Sequence, residues 1–418
     1  MDPLRLAIVG CGGMGRRHLA GLAELERGVG HLVELVAVCD LNETNAHDLA
    51  DEANDLLGYR PAVFGSIDAM VAGTDGLEAA DCTTDSGSHH LVATALLDAG
   101  LHTMVEKPLA LTVRGCNQII EAANRSGKLL SVAENFRRDP MNRLVKGLLD
   151  AGVIGAPQCI LETSIHGRDH ILITPWRHMK LSGTITLDAG VHNADILRYY
   201  FGDVVSAFGQ TRIFEPVRVR QNTAGPGGYY EKWADTMPER IEPTGEDAVF
   251  GLLTFANGAI GQFVDNHAGH GEAIVERRVF GARGSIAPPG DRNGNPVRVV
   301  LDDGTDVTGE AVLDLVPDWR LDADASALFG NDHPASYDFD FVTTDRKLLA
   351  LEYAELARCV RADTPPEVDG NTGRAAVALI NALFESQVAG RPVTIAEVAS
   401  SAVDAYQREI DLHFGLIA

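Results

Sequence analysis

The sequence predicts an α/β protein in two parts, a doubly wound parallel sheet followed by an α+β unit on a largely antiparallel sheet. Three observations predict it. Short apolar runs alternate with segments of helical spacing through the first third of the chain, the first run ends in a glycine-rich turn, and beyond Ala156 the pattern changes to successive alternating strands. At 418 residues the chain exceeds one ordinary hydrophobic core, so two domains with a cleft between them are expected, 1–138 and 139–418.

Leu4 to Val9 is an apolar run bounded by glycine, the pattern of a strand buried on both faces of a parallel sheet. It leads into Gly10-Cys11-Gly12-Gly13-Met14-Gly15, and from Arg16 to about Leu25 the apolar spacing is helical. A glycine-rich strand-to-helix turn is where a dinucleotide pyrophosphate rests on a helix N-terminus. Gly10 permits the tight turn, Gly12 lets backbone approach phosphate, and Gly15 allows close packing of helix on strand, with Gly13 and Met14 completing the cofactor turn. A second strand, Leu35 to Cys39, ends in Asp40, at the distance expected for a carboxylate that accepts hydrogen bonds from ribose hydroxyls. Asp40 repels a 2′-phosphate, and Leu41 and Asn42 supply no cation, which favours NAD over NADP.

The alternation continues with a helix at Ala46–Leu57, a strand near Ala62, a helix at Ile67–Gly73 and a strand at Ala79–Thr84. Then come helix His90–Ala99, strand His102–Val105, helix Thr112–Ser126 and strand Leu129–Ala133. Together they make one Rossmann unit, ending near residue 138.

Apolar residues are 45% and charged residues 22% of the chain, ordinary for a folded globular protein. The net charge of −24, with no run of Lys and Arg, disfavours a nucleic-acid or anionic-membrane partner. The cysteines Cys11, Cys39, Cys82, Cys116, Cys159 and Cys359 lie far apart without CxxC spacing, as reduced core thiols do. With no signal-peptide pattern and no run of membrane-spanning length, a cytoplasmic protein is expected.

At Glu106-Lys107-Pro108, directly after a strand, the sequence resembles the glucose-fructose oxidoreductase, inositol dehydrogenase and MocA family. The resemblance is collinear over nearly the whole chain. It takes in His18 after the glycine turn, Thr84 with His89, Asn135-Phe136-Arg137 with Pro140, Trp176-Arg177, and Asp188-Ala189-Gly190-Val191-His192. Farther on come Glu246-Asp247, Phe255-Ala256-Asn257-Gly258, and the terminal helices with Gly370, Gly373 and Ser386. The resemblance implies that Lys107 lies near the nicotinamide and the reacting oxygen, that His192 is the general base, and that Asp188 belongs to the same catalytic set. It also implies cofactor contacts from Thr84, His89, Glu106, Lys107 and Asn135, and a metal-free site.

The chemistry suits those residue types. Oxidising an alcohol releases a hydroxyl proton as hydride leaves, so a group that titrates near neutrality should touch the hydroxyl, and a lysine ammonium beside it stabilises alkoxide character. Asp188 and His192 are four apart in a segment of helical spacing, so one face can present both. Substrate contacts are expected from Lys107, Arg177, Asp188 and His192. Arg177 reads equally as a partner for substrate hydroxyls or for a carboxylate, and Asp195 either orients His192 or is a solvated helix residue.

Two stretches depart from the family pattern. Thr84-Asp85-Ser86-Gly87-Ser88-His89 lacks the usual proline, with Asp85 expected to face solvent, and only Ser182-Gly183 stands where a double glycine is typical. Between Thr211 and Gly245 lies an insertion with Tyr229, Tyr230 and Trp233, which reads either as a lid or stacking surface or as a small satellite core. His166, His170, His178, His267 and His270 fit no standard metal spacing, so no metal is expected.

Strands are expected at Cys159–Ser164, Val204–Thr211, Ala248–Phe255, Ala259–Asn266 and Ile274–Gly281. Helices Lys347–Arg361 and Thr372–Gly390 should pack back toward the first domain. The resemblance implies an open sheet whose far face supports a homodimer or homotetramer. The function that follows is NAD-dependent oxidation of a ring hydroxyl of a sugar, cyclitol or glycoside to a ketone. Two alternatives remain: a glycosidase or lyase cycling a tightly bound NAD, and a non-catalytic NAD-dependent sensor.

Overall fold

Six parallel strands carry the first third of the chain: β1 (Leu4–Val9), β2 (Val33–Cys39), β3 (Ala62–Phe64), β4 (Ala79–Cys82), β5 (His102–Glu106) and β6 (Leu130–Ala133). The computed structural model describes residues 2–221 and 228–418. The sheet order is β3-β2-β1-β4-β5-β6, so the direction of winding reverses between β1 and β4. Open α/β sheets bind ligands at that reversal, outside the carboxyl ends of the strands.

Helices α1 (Gly13–Gly28), α2 (Glu43–Leu57), α3 (Ile67–Gly73), α4 (His89–Asp98) and α5 (Val113–Ser126) cross over between strands. Several start where a side chain satisfies orphaned backbone N–H groups: Asn42 accepts from Thr44 and Asn45, Ser66 from Ala69, and Thr112 from Gly115. After β6 the chain makes a 3-10 turn, Phe136–Arg138, and a helix the apolar pattern did not reveal, α6 (Pro140–Asp150), capped by Asp139 with proline at its first position.

The second sheet has nine strands. Its order is Asp306–Thr308, Arg298–Leu301, Gly284–Ala287, Ile274–Gly281, Pro157–Gly167, Ile260–Gly269, Ala248–Phe255, Val204–Arg212, Val393–Thr394. Every neighbouring pair is antiparallel except Pro157–Gly167 with Ile260–Gly269, which is parallel, so the sheet is largely antiparallel as expected, mixed at that one pair. The short strands from Gly284 to Thr308 lacked a readable alternation.

One helix sets the relation of the two sheets. Gly370–Ala389 approaches β6 through Gly373, where a Cβ would lie 2.7 Å from Val132, and approaches the second sheet through Leu383, which fills the space left by Gly209 and Gly251. A side chain at any of these glycines would push the helix off a sheet. Helix Phe341–Ala362 packs on α1, sharing a core in which Leu348, Tyr353 and Leu356 meet Leu6, Leu19 and Leu22. No helix among the described residues is long and apolar enough to cross a membrane.

Candidate active site

The glycine turn opens a cleft at the carboxyl edge of the first sheet. Gly10 has φ +101°, and a Cβ there would sit 2.7 Å from the Thr84 backbone nitrogen, so only glycine fits. At Gly15 a Cβ would lie 2.3 Å from the Gly10 carbonyl, which is how α1 packs so near β1. Gly12, by contrast, the residue just before α1, has nothing within 4 Å of its Cβ direction, so the backbone there faces open space. Asp40, at the tip of β2, accepts from the backbone N–H of Cys11 and of Asn42, each at 2.7 Å, which fixes the carboxylate at the cleft edge. The cleft measures about 420 Å³ and runs from Asp40 and Ser66, past Gly12, Gly13 and Met14, to Lys107 and Asp188. Bare helix-end donors, a fixed carboxylate beyond them and a narrow apolar groove suit an extended dinucleotide.

Lys107 follows β5 directly. Its Nζ donates to the Asp188 carbonyl at 2.8 Å and to Asp188 Oδ1 at 3.2 Å. The other carboxylate oxygen of Asp188 accepts from Arg177 Nε at 2.9 Å, and Arg177 stacks over Trp176, its guanidinium carbon 4.3 Å from the ring centroid. Burial opposes ionisation of Asp188, but Arg177 and then Lys107 overcome it and hold the carboxyl well below the usual range. Of the two readings of Arg177, the carboxylate pairing is the one present; the side chain also lines the cleft.

His192 belongs to a different pairing. Its Nδ1 lies 2.8 and 2.9 Å from the two oxygens of Glu134, and its ring stacks on Phe136 at 4.3 Å. Burial first, and then the Lys107 ammonium, push the imidazole well below its ordinary pKa, so it stays neutral. Burial raises the Glu134 carboxyl to about 7. The expected single helical face is absent, because Asp188 ends one short helix, Ile185–Asp188, and His192 lies in the next, Gly190–Phe201. The first pairs with Arg177 and Lys107, the second with Glu134. Lys107 bonds to the first and lies within electrostatic reach of the second, and His192 is not among the residues that line the cleft.

Of the remaining expected cofactor residues, Thr84, His89 and Glu106 line the cleft. His89 Nδ1 lies 2.8 Å from the Pro108 carbonyl and Nε2 lies 3.2 Å from that of Thr84, tying the loop after β4 to the loop after β5. Glu106 faces His18 Nε2 at 3.0 Å, on the side away from solvent. Asn135 is buried off the cleft, and its Oδ1 has no hydrogen-bond partner among the described residues. Asp195 does not reach His192: it takes two bonds from Arg137, at 2.7 and 2.5 Å. Asp85 is exposed as expected, yet it borders the cleft and accepts from Ser88. Of the inserted segment, residues 222–227 lie outside the described residues; Tyr230 lines the cleft beside Gly13. His166 and His267 meet edge to face at 5.0 Å, and no three His, Cys, Asp or Glu side chains converge on a metal position among the described residues.

Glu134 is the functional candidate that sequence reasoning missed. It stands one residue past β6, and nothing in its spacing reports a partner far along the chain.

Comparison with known proteins agrees with this architecture. A family model described as an oxidoreductase family, NAD-binding Rossmann fold, matches residues 4–134, and its companion, the C-terminal alpha/beta domain, matches residues 146–395. The chain is 29% identical over 198 residues to the D-apiose dehydrogenase of Paraburkholderia graminis, a match covering 47% of this chain and only 50% of that protein. It is 25% identical over 400 residues to the myo-inositol 2-dehydrogenase of Thermotoga maritima, covering 94% of this chain and 99% of the relative. Among solved structures, a levoglucosan dehydrogenase in complex with NADH and L-sorbose shares the fold, with TM-score 0.74 and 20% identity over 94% of this chain and 99% of the other.

Proposed function

Since this chain belongs to the Gfo/Idh/MocA oxidoreductase family, we propose that it is an NAD-dependent dehydrogenase that reversibly oxidises a ring hydroxyl of a sugar, cyclitol or glycoside. The observation that carries this reading is a lysine ammonium held by Asp188 at one end of the dinucleotide cleft, with a buried histidine backed by Glu134 lying within electrostatic reach of that ammonium. The names of the apiose and inositol relatives support the substrate class.

When bound, NAD supplies the hydride acceptor. The first turn of α1 would offer N–H groups to its pyrophosphate, and Asp40 would accept from its ribose hydroxyls. Glu134 as a carboxylate selects the Nδ1–H tautomer of His192, which leaves Nε2 as the proton acceptor for the substrate hydroxyl. Lys107 stabilises the developing alkoxide, and its two bonds to Asp188 fix where the ammonium stands. Arg177 completes this side by holding the other oxygen of Asp188 and walling the cleft. In the reverse direction the same imidazole returns the proton. Free thiols at all six cysteines, five of them buried, suit a reducing cytoplasmic compartment.

The test is formation of NADH with NAD and NADP offered in parallel against inositols, free aldoses, anhydrosugars and O- or C-glycosides. The expected result is NAD reduction with one polyol class. NAD that binds but is reduced by none of them would overturn the dehydrogenase reading.

A further inference from the structure

The dinucleotide cleft has an outer wall that comes from the second half of the chain. Tyr230 packs on the first residue of α1, so that a Cβ at Gly13 would lie 2.5 Å from ring atom Cε1 and 2.7 Å from Cδ1. The same ring has the Arg177 guanidinium 5.9 Å from its centroid. Tyr230 therefore joins the helix end that faces the pyrophosphate route to the Arg177, Asp188 and Lys107 chain of contacts.

Its neighbours anchor it to several separate elements. Tyr229 accepts from Arg346 Nε at 3.2 Å, at the start of helix Phe341–Ala362. Lys232 pairs with Asp48 of α2. Arg220 Nη1 donates to the carbonyls of Ala234 at 3.1 Å and Met237 at 2.9 Å, tying the far end of the segment to the base of the same insertion, where Arg218–Val219 pairs with Arg240–Ile241. Residues 228–237 thus cross from one half of the molecule to the other directly over the glycine turn. A satellite core would bury its rings against one another; these rings and cations instead engage α1, α2 and a C-terminal helix.

We propose that Tyr230 is a cofactor-retaining residue, and that segment 228–237, pinned by the Lys232–Asp48 pair, covers the bound dinucleotide so that NAD(H) leaves slowly between turnovers. This rests on the dehydrogenase reading of the cleft. Departure requires the Tyr230 ring to leave Gly13 and Arg177, so the energy of those contacts is added to the barrier for dissociation, and tightness appears in the off-rate. Arg177 faces the Tyr230 ring and bonds Asp188, so closing the cover also steadies the carboxylate that positions Lys107.

The experiment is stopped-flow displacement of NADH from the full-length protein by excess NAD, read by NADH fluorescence, for wild type, Tyr230→Phe, Tyr230→Ala and Asp48→Asn. We expect Tyr230→Ala to release NADH ~10-fold faster or more, Asp48→Asn several-fold faster, and Tyr230→Phe to fall between wild type and Tyr230→Ala. Asp48 lies on an exposed part of α2, away from the acid/base groups, so its variant reports on the segment if Tyr230→Ala is poorly folded. Off-rates within twofold of wild type in both Tyr230→Ala and Asp48→Asn would overturn the proposal while leaving the dehydrogenase reading intact. A wild-type protein that binds no NADH would overturn both.

Discussion

Lys107 is the residue at which two separately built pairings meet, Asp188 with Arg177 on one side and His192 with Glu134 on the other. Replacing Lys107 or His192 by alanine is expected to cut turnover by ~10² or more while NAD affinity, set by the α1 turn and Asp40, stays near wild type. Wild-type kcat in both variants would remove them from the mechanism. Glu134 gives a sharper test through pH. Above about 7 its carboxylate accepts from Nδ1–H and leaves Nε2 basic; below that value the protonated carboxyl donates to Nδ1 and drives the ring proton to Nε2, where it blocks the base. Oxidation should therefore rise as pH passes through about 7. Glu134→Gln is expected to lower kcat ~10-fold and to lose that acid limb, with unchanged NAD affinity; a limb that persists in Glu134→Gln would assign it to another group. The lysine, aspartate and histidine were legible in the sequence because each lies in a compact motif. Glu134 was not, because its only signal is a contact between the end of β6 and a helix far along the chain, and sequence spacing does not carry such contacts.

Element by element, what was legible followed from periodicity and what was missed followed from caps and short strands. The run Leu4–Val9, the helix Ile67–Gly73 and the strands Ala248–Phe255 and Ile274–Gly281 have the expected bounds, since an apolar run or alternation fills each from end to end. Helix α2 begins at Glu43 rather than Ala46 because Asn42 caps it ahead of its apolar stripe, and Phe341–Ala362 begins six residues early because Asp340 does the same. The His18 motif had no structural meaning in the sequence; in the fold it fastens α1 to the ends of two strands. Its Nδ1 lies 2.8 Å from Asp81 in β4 and its Nε2 3.0 Å from Glu106 in β5, while Tyr353 also donates to Asp81. Burial disfavours the charged ring, but Asp81 and Glu106 outweigh it and raise its pKa well above the ordinary value. Because the folded pKa is raised, this stabilisation is full below the unfolded value of about 6.5 and is lost as pH climbs through the folded value. His18→Asn leaves two buried carboxylates without their cation, at a cost of about 3–5 kcal/mol. Thermal unfolding followed across pH should show the largest deficit of the variant near pH ~6 and a shrinking deficit in alkali. A deficit independent of pH would mean that His18 is neutral in the fold.

Over the whole molecule, charge and exposed apolar surface oppose each other. Each chain carries a net charge of −24, which repels a second copy, yet the outer face of the nine-stranded sheet presents Phe208, Phe250, Leu252, Ile260, Leu161 and Phe280 to solvent, Leu252 at 57% and Ile260 at 48% exposure. Phe208 pairs in register with Leu252, Leu252 with Gln262, and Gln262 with Leu161, so one row across four strands holds no carboxylate. A largely apolar sheet face on a strongly acidic protein is costly to leave wet, and the occupant that fits it is a second copy of the same face, since an isologous pairing buries every such residue twice. We propose that the chain self-associates through this face. The two forces make separable predictions. Because repulsion between copies is screened by salt while the apolar contact is not weakened by it, the assembly should tighten as ionic strength rises to ~0.5 M. Leu252→Lys places two ammonium groups in the centre of the row and should yield monomers by light scattering at concentrations where wild type is expected to be a dimer or tetramer, while NADH still binds, since Leu252 does not line the cleft. A Leu252→Lys protein with the wild-type mass would move the interface elsewhere, and an assembly that loosens with salt would make ion pairs rather than this face its cause.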